Sequence, residues 1–207
     1  MIPADIGNAT MEHLILTYGA LFVSCIISFP LALISMYNKR LAMGIITFAN
    51  LLQAIPSFAV VAIVVPLMGI GFEPAILAIM LRTLLPIIKN TYIGMNEVDR
   101  SIVESAEGIG LTKWQIIRKI RIPNAYPAIF AGVKFAAILA NSIAILTAII
   151  GSGGLGSIIF EGLSNLNTDK ILAGSLPTIG IAILIDVSFT LMEKMLTPSI
   201  YGKKRKK

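Results

Sequence analysis

Apolar residues run almost unbroken through five stretches of this chain, and one long polar stretch interrupts them. The first apolar run extends from about His13 to Tyr37, with Pro30 inside it. After Asn38, Lys39 and Arg40, a second runs from about Met43 to Gly69 and holds Gln53, Pro56, Ser57 and Pro66. A short Gly71-Phe72-Glu73-Pro74 link leads to a third, about Ala75 to Ile93, with Arg82 and Pro86 inside. The fourth spans about Tyr126 to Ile150, and the fifth about Ile171 to Leu196, joined by a glycine-rich, weakly amphipathic connection. Each run approaches or exceeds the roughly 20 residues needed to cross a bilayer core as a helix. The pattern predicts an all-α, polytopic membrane protein of about five transmembrane helices, organised as one domain over residues 1–207. A membrane β-barrel would instead alternate apolar and polar residues within each strand.

Composition agrees with that class and charge adds an orientation. Of 207 residues, 56% are hydrophobic and 14% are charged, against about a quarter charged in a typical soluble domain. The net charge of +6 raises nucleic acid as a partner. The basic residues, however, fall in loops and at helix ends, so the positive-inside bias accounts for them and the expected partner is a lipid bilayer, with no nucleic acid. Placing residues 97–127 in the cytoplasm also puts the Lys39-Arg40 turn and the basic tail (198–207) inside. The acidic head (1–12), the Glu73 loop and the connection bearing Glu161 and Asp169 then lie outside, which sets the N-terminus outside and the C-terminus inside. The first run is too long, and lacks the basic front, for a cleaved signal peptide; it is expected to be a retained span. The single cysteine, Cys25, lies in an apolar run and cannot form an intramolecular disulfide; its expected role is packing.

The polar stretch, Glu97 to Pro127, predicts two short helices around a turn. Asp99 or Ser101 supplies an N-cap, and Ser101 followed by Glu104 has the spacing of a capping box. Gly108 and Gly110 are expected to end that helix, because glycine takes the left-handed conformation readily. Thr112 is placed to cap a second helix in which Trp114, Ile117 and Ile120 share a face, with Lys113, Arg118, Lys119 and Arg121 in water. Pro123 and Pro127 are expected to stop it and turn the chain into the next span. Physics alone leaves two readings open, a knob that enters a groove on another protein or a loop lying on lipid headgroups.

Spacing within that stretch carries a resemblance. Glu104-Ser105-Ala106, three residues, Gly110, nine residues, Ile120, one residue, then Ile122-Pro123 resembles the signature loop of ABC-importer permeases, which reads Glu-Ala-Ala, three residues, Gly, nine residues, Ile, any residue, Leu-Pro. Ser105 and Ile122 are the departures. The resemblance implies that Glu104, Ser105, Ala106, Gly110, Trp114, Ile120 and Pro123 belong to a coupling helix that docks on cytoplasmic ATPase subunits. Stretches 51–61 (LLQAIPSFAVV), 84–95 (LLPIIKNTYIGM) and 149–156 (IIGSGGLG) are similar to osmoprotectant permeases, which handle glycine betaine, carnitine and choline. The resemblance further implies a bacterial cell membrane, a second permease copy or paralogue, an extracytoplasmic substrate-binding protein that is separate or fused to another subunit, no catalytic residue and no cofactor. A permease for methionine or another amino acid is the alternative within the family. A secondary transporter or osmotic channel is the alternative outside it; a secondary transporter would be expected to carry a coupling-ion site with buried acids, and only Asp186 is available.

Other signals are weighed against simpler readings. Gly151-Ser152-Gly153-Gly154-Leu155-Gly156 fits the dinucleotide fingerprint letter for letter, but it follows a span instead of a strand and falls on the outer side. No phosphate-binding loop of the G-x-x-x-x-G-K-[ST] form occurs in the chain, so the energy source is expected in a partner. Ala128, Gly132, Ala136, Ala140, Ala144 and Ala148 recur every four residues as a ridge for close helix approach, read first as core packing. Arg82 and Asp186 lie at depths of roughly 11 and 22 Å at 1.5 Å per residue, which argues against their pairing. Arg82 and Lys134 are therefore expected to snorkel towards opposite surfaces. Gln53, Pro56, Ser57, Pro86, Asn141 and Asp186 are the candidate translocation-path residues. Prolines and polar side chains inside spans tend to line cavities, and Gln53 and Ser57, four apart, would share a face.

Overall fold

The computed structural model describes residues 3–196; the basic tail (198–207) lies outside the described residues. Those residues form α1 (Pro3–Ser35), α2 (Lys39–Ala54), α3 (Ser57–Met68), α4 (Phe72–Asn96), α5 (Arg100–Gly108) and α6 (Lys113–Ile116). A π-helical turn (Ile117–Arg121) leads into α7 (Ile122–Thr147), and a 3-10 turn (Ala148–Ile150) ends it before α8 (Leu155–Ser164) and α9 (Thr168–Leu196). No strand occurs among the described residues.

Helix α4 is the centre of the bundle. Ala75, Ala78 and Ile79 pack with Leu16 and Ala20 of α1, Val60, Val61 and Val64 of α3, and Ala140, Ile143 and Ala144 of α7. A second cluster joins Ile87 of α4 to Leu21 of α1, Ala136 and Ala137 of α7, Leu155 of α8, and Ile181 and Ile185 of α9. The small-residue ridge of α7 faces α4, as core packing requires. A Cβ on Gly132 would stand 2.7 Å from Asn90 Cβ and 2.9 Å from the Pro86 carbonyl oxygen. Helices this close gain dispersion contacts that larger residues would forbid.

Three helical stretches are long and apolar enough to cross a membrane, residues 6–35, 113–150 and 168–196, and the α2–α3 pair passes the same test jointly. The five runs of the sequence also include α4, whose 25 residues reach about 37 Å at 1.5 Å per residue. It carries Glu73, Arg82 and Lys89 and hides most of its length inside the bundle. The second run is not one kinked helix, because α2 and α3 meet at 98°. Pro56 has no N–H to continue the ladder and pushes Ile55 into extended backbone, ψ 129°.

Two further expectations are corrected. The acidic head is helical from Pro3, extending α1 beyond its expected start. Pro123 and Pro127 do not stop the helix; residues 113–150 form one continuous helical stretch. The π turn explains this. The Ile122 N–H bonds the Ile117 carbonyl five residues back, which places Pro123 in the first turn of α7, where a missing donor is tolerated.

Candidate functional site

Residues 97–121 fold into an elbow at one end of the bundle. The Asp99 carboxylate accepts the Ser101 backbone N–H and the Ser101 hydroxyl, each at 2.9 Å. Those bonds favour the charged form and hold the Asp99 carboxyl below the usual aspartate range. The capping box is at Thr112 and Gln115, each side chain bonding the other's backbone N–H. Ser101 and Glu104, expected to form one, do not; Asp99 already occupies the Ser101 hydroxyl, and Glu104 accepts from Arg100 Nε at 2.7 Å. Gly108 is the last residue of α5. Of the two glycines only Gly110 is left-handed, at φ +83°. The Leu111 N–H then folds back to the Ala106 carbonyl at 3.1 Å.

The elbow has a small core of its own. Val103, Ala106 and Ile116 are buried together, with Val98, Leu111 and Ile120 against them. The expected face of Trp114, Ile117 and Ile120 is displaced, since Ile116 and Ile117 turn inward and Trp114 is 48% exposed. A π turn inserts an extra residue, so 3.6-residue spacing fails across it. The seven residues of the signature divide by this geometry. Ala106, Gly110, Ile120 and Pro123 shape the elbow, while Glu104, Ser105 and Trp114 lie on its outer surface.

The elbow joins the bundle through the continuous helix into α7 and a side contact. Met95, Ile117 and Ala125 cluster with Ala32 of α1, and Arg121 Nη1 donates to the Met95 carbonyl at 2.7 Å. Arg121 is thus a strut and not, as its charge suggested, a wet side chain. Beside this joint a cleft of about 160 Å³ separates Tyr37 and Asn96 from Glu107 and Lys113.

The six path candidates do not form one site. Gln53 and Ser57 lie on different sides of the α2–α3 break, so helical spacing does not give them a common face. Gln53 donates through Nε2 to the Arg82 carbonyl, Pro56 is exposed at the corner and Ser57 is half-buried. Pro86 is buried in α4, its carbonyl accepting Asn90 Nδ2 at 2.8 Å. Asn141 is buried and bridges helices, its Oδ1 bonded to His13 Nε2 at 3.1 Å and its Nδ2 to the Thr178 carbonyl at 3.3 Å. Asp186 pairs with Lys134 at 2.9 Å, and Lys134 also donates to Thr190 at 3.2 Å.

Lys134 therefore does not snorkel, and neither does Arg82. Arg82 is 8% exposed and its Nη1 donates to the carbonyls of Leu52, Gln53 and Ile55 at 3.1, 2.8 and 2.8 Å. Sequence reasoning also missed Glu12, whose carboxylate accepts the Gly154 N–H at 2.8 Å and so caps α8 from another helix. Gly153 and Gly154, both at φ +78°, let the backbone come close to Glu12 and His13. The glycine run is a packing device against α1. A lone arginine between apolar residues was the available signal for the first of these; nothing in the sequence pairs Glu12 with Gly154.

Comparison with known proteins gives a family. Residues 24–201 match the model of the binding-protein-dependent transport system inner membrane component. Among curated relatives, the carnitine transport permease protein OpuCB of Listeria monocytogenes is 35% identical over 91% of this chain and 87% of its own length. The glycine betaine/carnitine/choline transport system permease protein OpuCB of Bacillus subtilis is 39% identical over the same shares, 91% and 87%. The osmoprotectant import permease protein OsmW of Salmonella typhimurium is 34% identical over 93% and 92%. Of solved structures, an inward-facing form of the MetNI methionine ABC transporter superposes with a TM-score of 0.86 over 93% of this chain and 96% of that one, at 19% identity, a likeness of fold. The chain belongs to the binding-protein-dependent transport permeases, as a multi-pass membrane component of a transport system.

Proposed function

We propose that this chain is the membrane-spanning permease of an ATP-driven importer for quaternary-amine osmoprotectants of the glycine betaine, carnitine and choline class. The observation that carries the reading is the elbow. It is a self-cored projection that continues through one unbroken helix into α7, with Glu104, Ser105 and Trp114 of the signature turned outward. Such a projection transmits force from a protein that grips it, and the expected partners are two cytoplasmic ATPase subunits. A second permease, alike or paralogous, completes the path, and an extracytoplasmic receptor delivers solute. The elbow end is cytoplasmic, which puts Lys39, Arg40, Arg100, Lys113, Arg118 and Lys119 on the positive side. ATP binding closes the ATPases on the elbows, and the helices swing from inward- to outward-open.

The solute class rests on the names of the relatives. Recognition of a quaternary ammonium uses aromatic faces, and only 7% of this chain is aromatic. Selectivity is accordingly assigned to the receptor, with a weakly binding path here. Uptake into proteoliposomes with the cognate receptor and ATPase tests this. Betaine, carnitine or choline should compete and vanadate should stop uptake. Competition by methionine alone, or uptake indifferent to vanadate, would overturn the reading.

A further inference from the structure

The corner between α2 and α3 creates a problem that Arg82 solves. A helix leaves its last four carbonyls without intrahelical donors, and inside a membrane such groups must find protein partners. Pro56 offers no N–H. Arg82 Nη1 takes the Leu52, Gln53 and Ile55 carbonyls together, and Gln53 Nε2 returns a bond to the Arg82 carbonyl. A positive charge at this helix end is also favoured by the helix dipole. Beyond the corner, Val60, Val61 and Val64 of α3 pack on Ala75, Ala78 and Ile79 of α4. Both arms of the corner are therefore fastened to one helix.

The far end of that helix is tied to the elbow by another arginine, through one bond. Arg121 Nη1 donates to Met95, which is fully buried beside Ile117 and Ala125. From Arg82 to Met95 α4 continues for 13 residue steps, about 20 Å at 1.5 Å per residue; Pro86 within it has no N–H for the Arg82 carbonyl, which Gln53 Nε2 takes instead. The Arg82 link gathers three backbone carbonyls and the Arg121 link holds one, each through the fixed planar fork of a guanidinium.

We propose that Arg82 is the positioning residue that makes the α2–α3 corner move with α4, so that a push on the elbow reaches the solute path. This rests on the coupling role proposed for the elbow. Gln53 is its helper, and the polar candidates at the corner act as a hinge clamp.

The test uses the complete transporter in lipid nanodiscs and proteoliposomes, with Cys25 replaced by Ser. Spin labels at Phe58→Cys on α3 and Ile93→Cys on α4, both exposed sites, report whether corner and rod move together. In the wild type the distance distribution stays narrow and unchanged between the nucleotide-free and vanadate-trapped states. Arg82→Met should broaden it and lower uptake per ATP by about tenfold or more, the scale of one charged hydrogen bond, while ATP hydrolysis changes less than about twofold. Arg82→Lys should recover part of the loss. Gln53→Ala should lower uptake per ATP by about twofold to fivefold, and it decides the matter if Arg82→Met fails to fold. Wild-type distances together with wild-type uptake per ATP in the folded variants would overturn the proposal, because a purely structural role predicts that outcome. Absence of permease-stimulated ATP hydrolysis in the wild type would instead sink the coupling role of the elbow, and the label distances would still judge the clamp.

Discussion

Replacing Gly110 by Ala isolates backbone shape from side-chain size. Gly110 stands at φ +83°, where an L side chain crowds the following carbonyl at about 1–2 kcal/mol. Space is not the obstacle, since a Cβ there would meet nothing within 4 Å. Gly108 has equally open surroundings but belongs to α5, so Gly108→Ala should stabilise that helix by about 0.5–1 kcal/mol. The same methyl, two residues apart, is thus expected to act with opposite signs. The strain stays local, because Val103, Ala106 and Ile116 form a core separate from those around α4. A loss of 1–2 kcal/mol lowers the formed-to-unformed ratio of the turn by about 5- to 30-fold. Hydrogen exchange at Leu111, whose N–H closes the turn on Ala106, should accelerate by that factor in Gly110→Ala and slow or hold in Gly108→Ala. Binding to the ATPase should weaken in the first variant only, and thermal unfolding of the bundle should match wild type in both. If Leu111 is equally protected in both variants, or equally exposed in both, the left-handed turn does not shape the elbow.

Further predictions follow from the bundle. Gly132→Val should lower the thermal stability of the purified permease by about 1–3 kcal/mol or more, because its Cβ would press on Asn90 and the Pro86 carbonyl. Lys134→Met and Asp186→Asn should each destabilise more than the double variant, since each alone strands a charge within a span; thermal unfolding of all three in detergent checks this. The Asp99 carboxyl titrates below its free value of 3.8 in the folded elbow. Its contribution is therefore present above that value and lost as pH falls through the lower folded one. Amide exchange at Ser101 and Ile102 should rise on such acidification relative to base-calibrated rates, and Asp99→Ala should abolish the dependence.

Much of the fold was legible because span length is a property of the sequence itself. Apolar runs located α1, α7 and α9, and the Thr112 cap and the Gly110 turn stood where residue chemistry put them. What stayed hidden was set by tertiary partners. Pro56 announced a kink, but the 98° corner has Arg82 on its freed carbonyls, and no spacing rule joins residues 53 and 82. Pro123 announced a stop, but a π turn beforehand absorbed it. Gln53 and Ser57 were placed on a common face by a helix that is broken between them. The elbow was the most readable functional element because its cap, turn and small core are local. The path candidates were the least readable, since side chains such as Asn141 and Asp186 are defined by His13, Thr178 and Lys134 on other helices.

The central claim is that the elbow is gripped by a cytoplasmic ATPase while the opposite end meets a solute receptor. Ile109 at the elbow and Leu166 between α8 and α9 are 80% and 90% exposed, one at each end. A photo-crosslinking amino acid placed at either site in the assembled transporter reads the partner directly. A crosslink from position 109 to the ATPase and none to the receptor is expected, with the reverse at position 166. A receptor crosslink at 109, or an ATPase crosslink at 166, would contradict it.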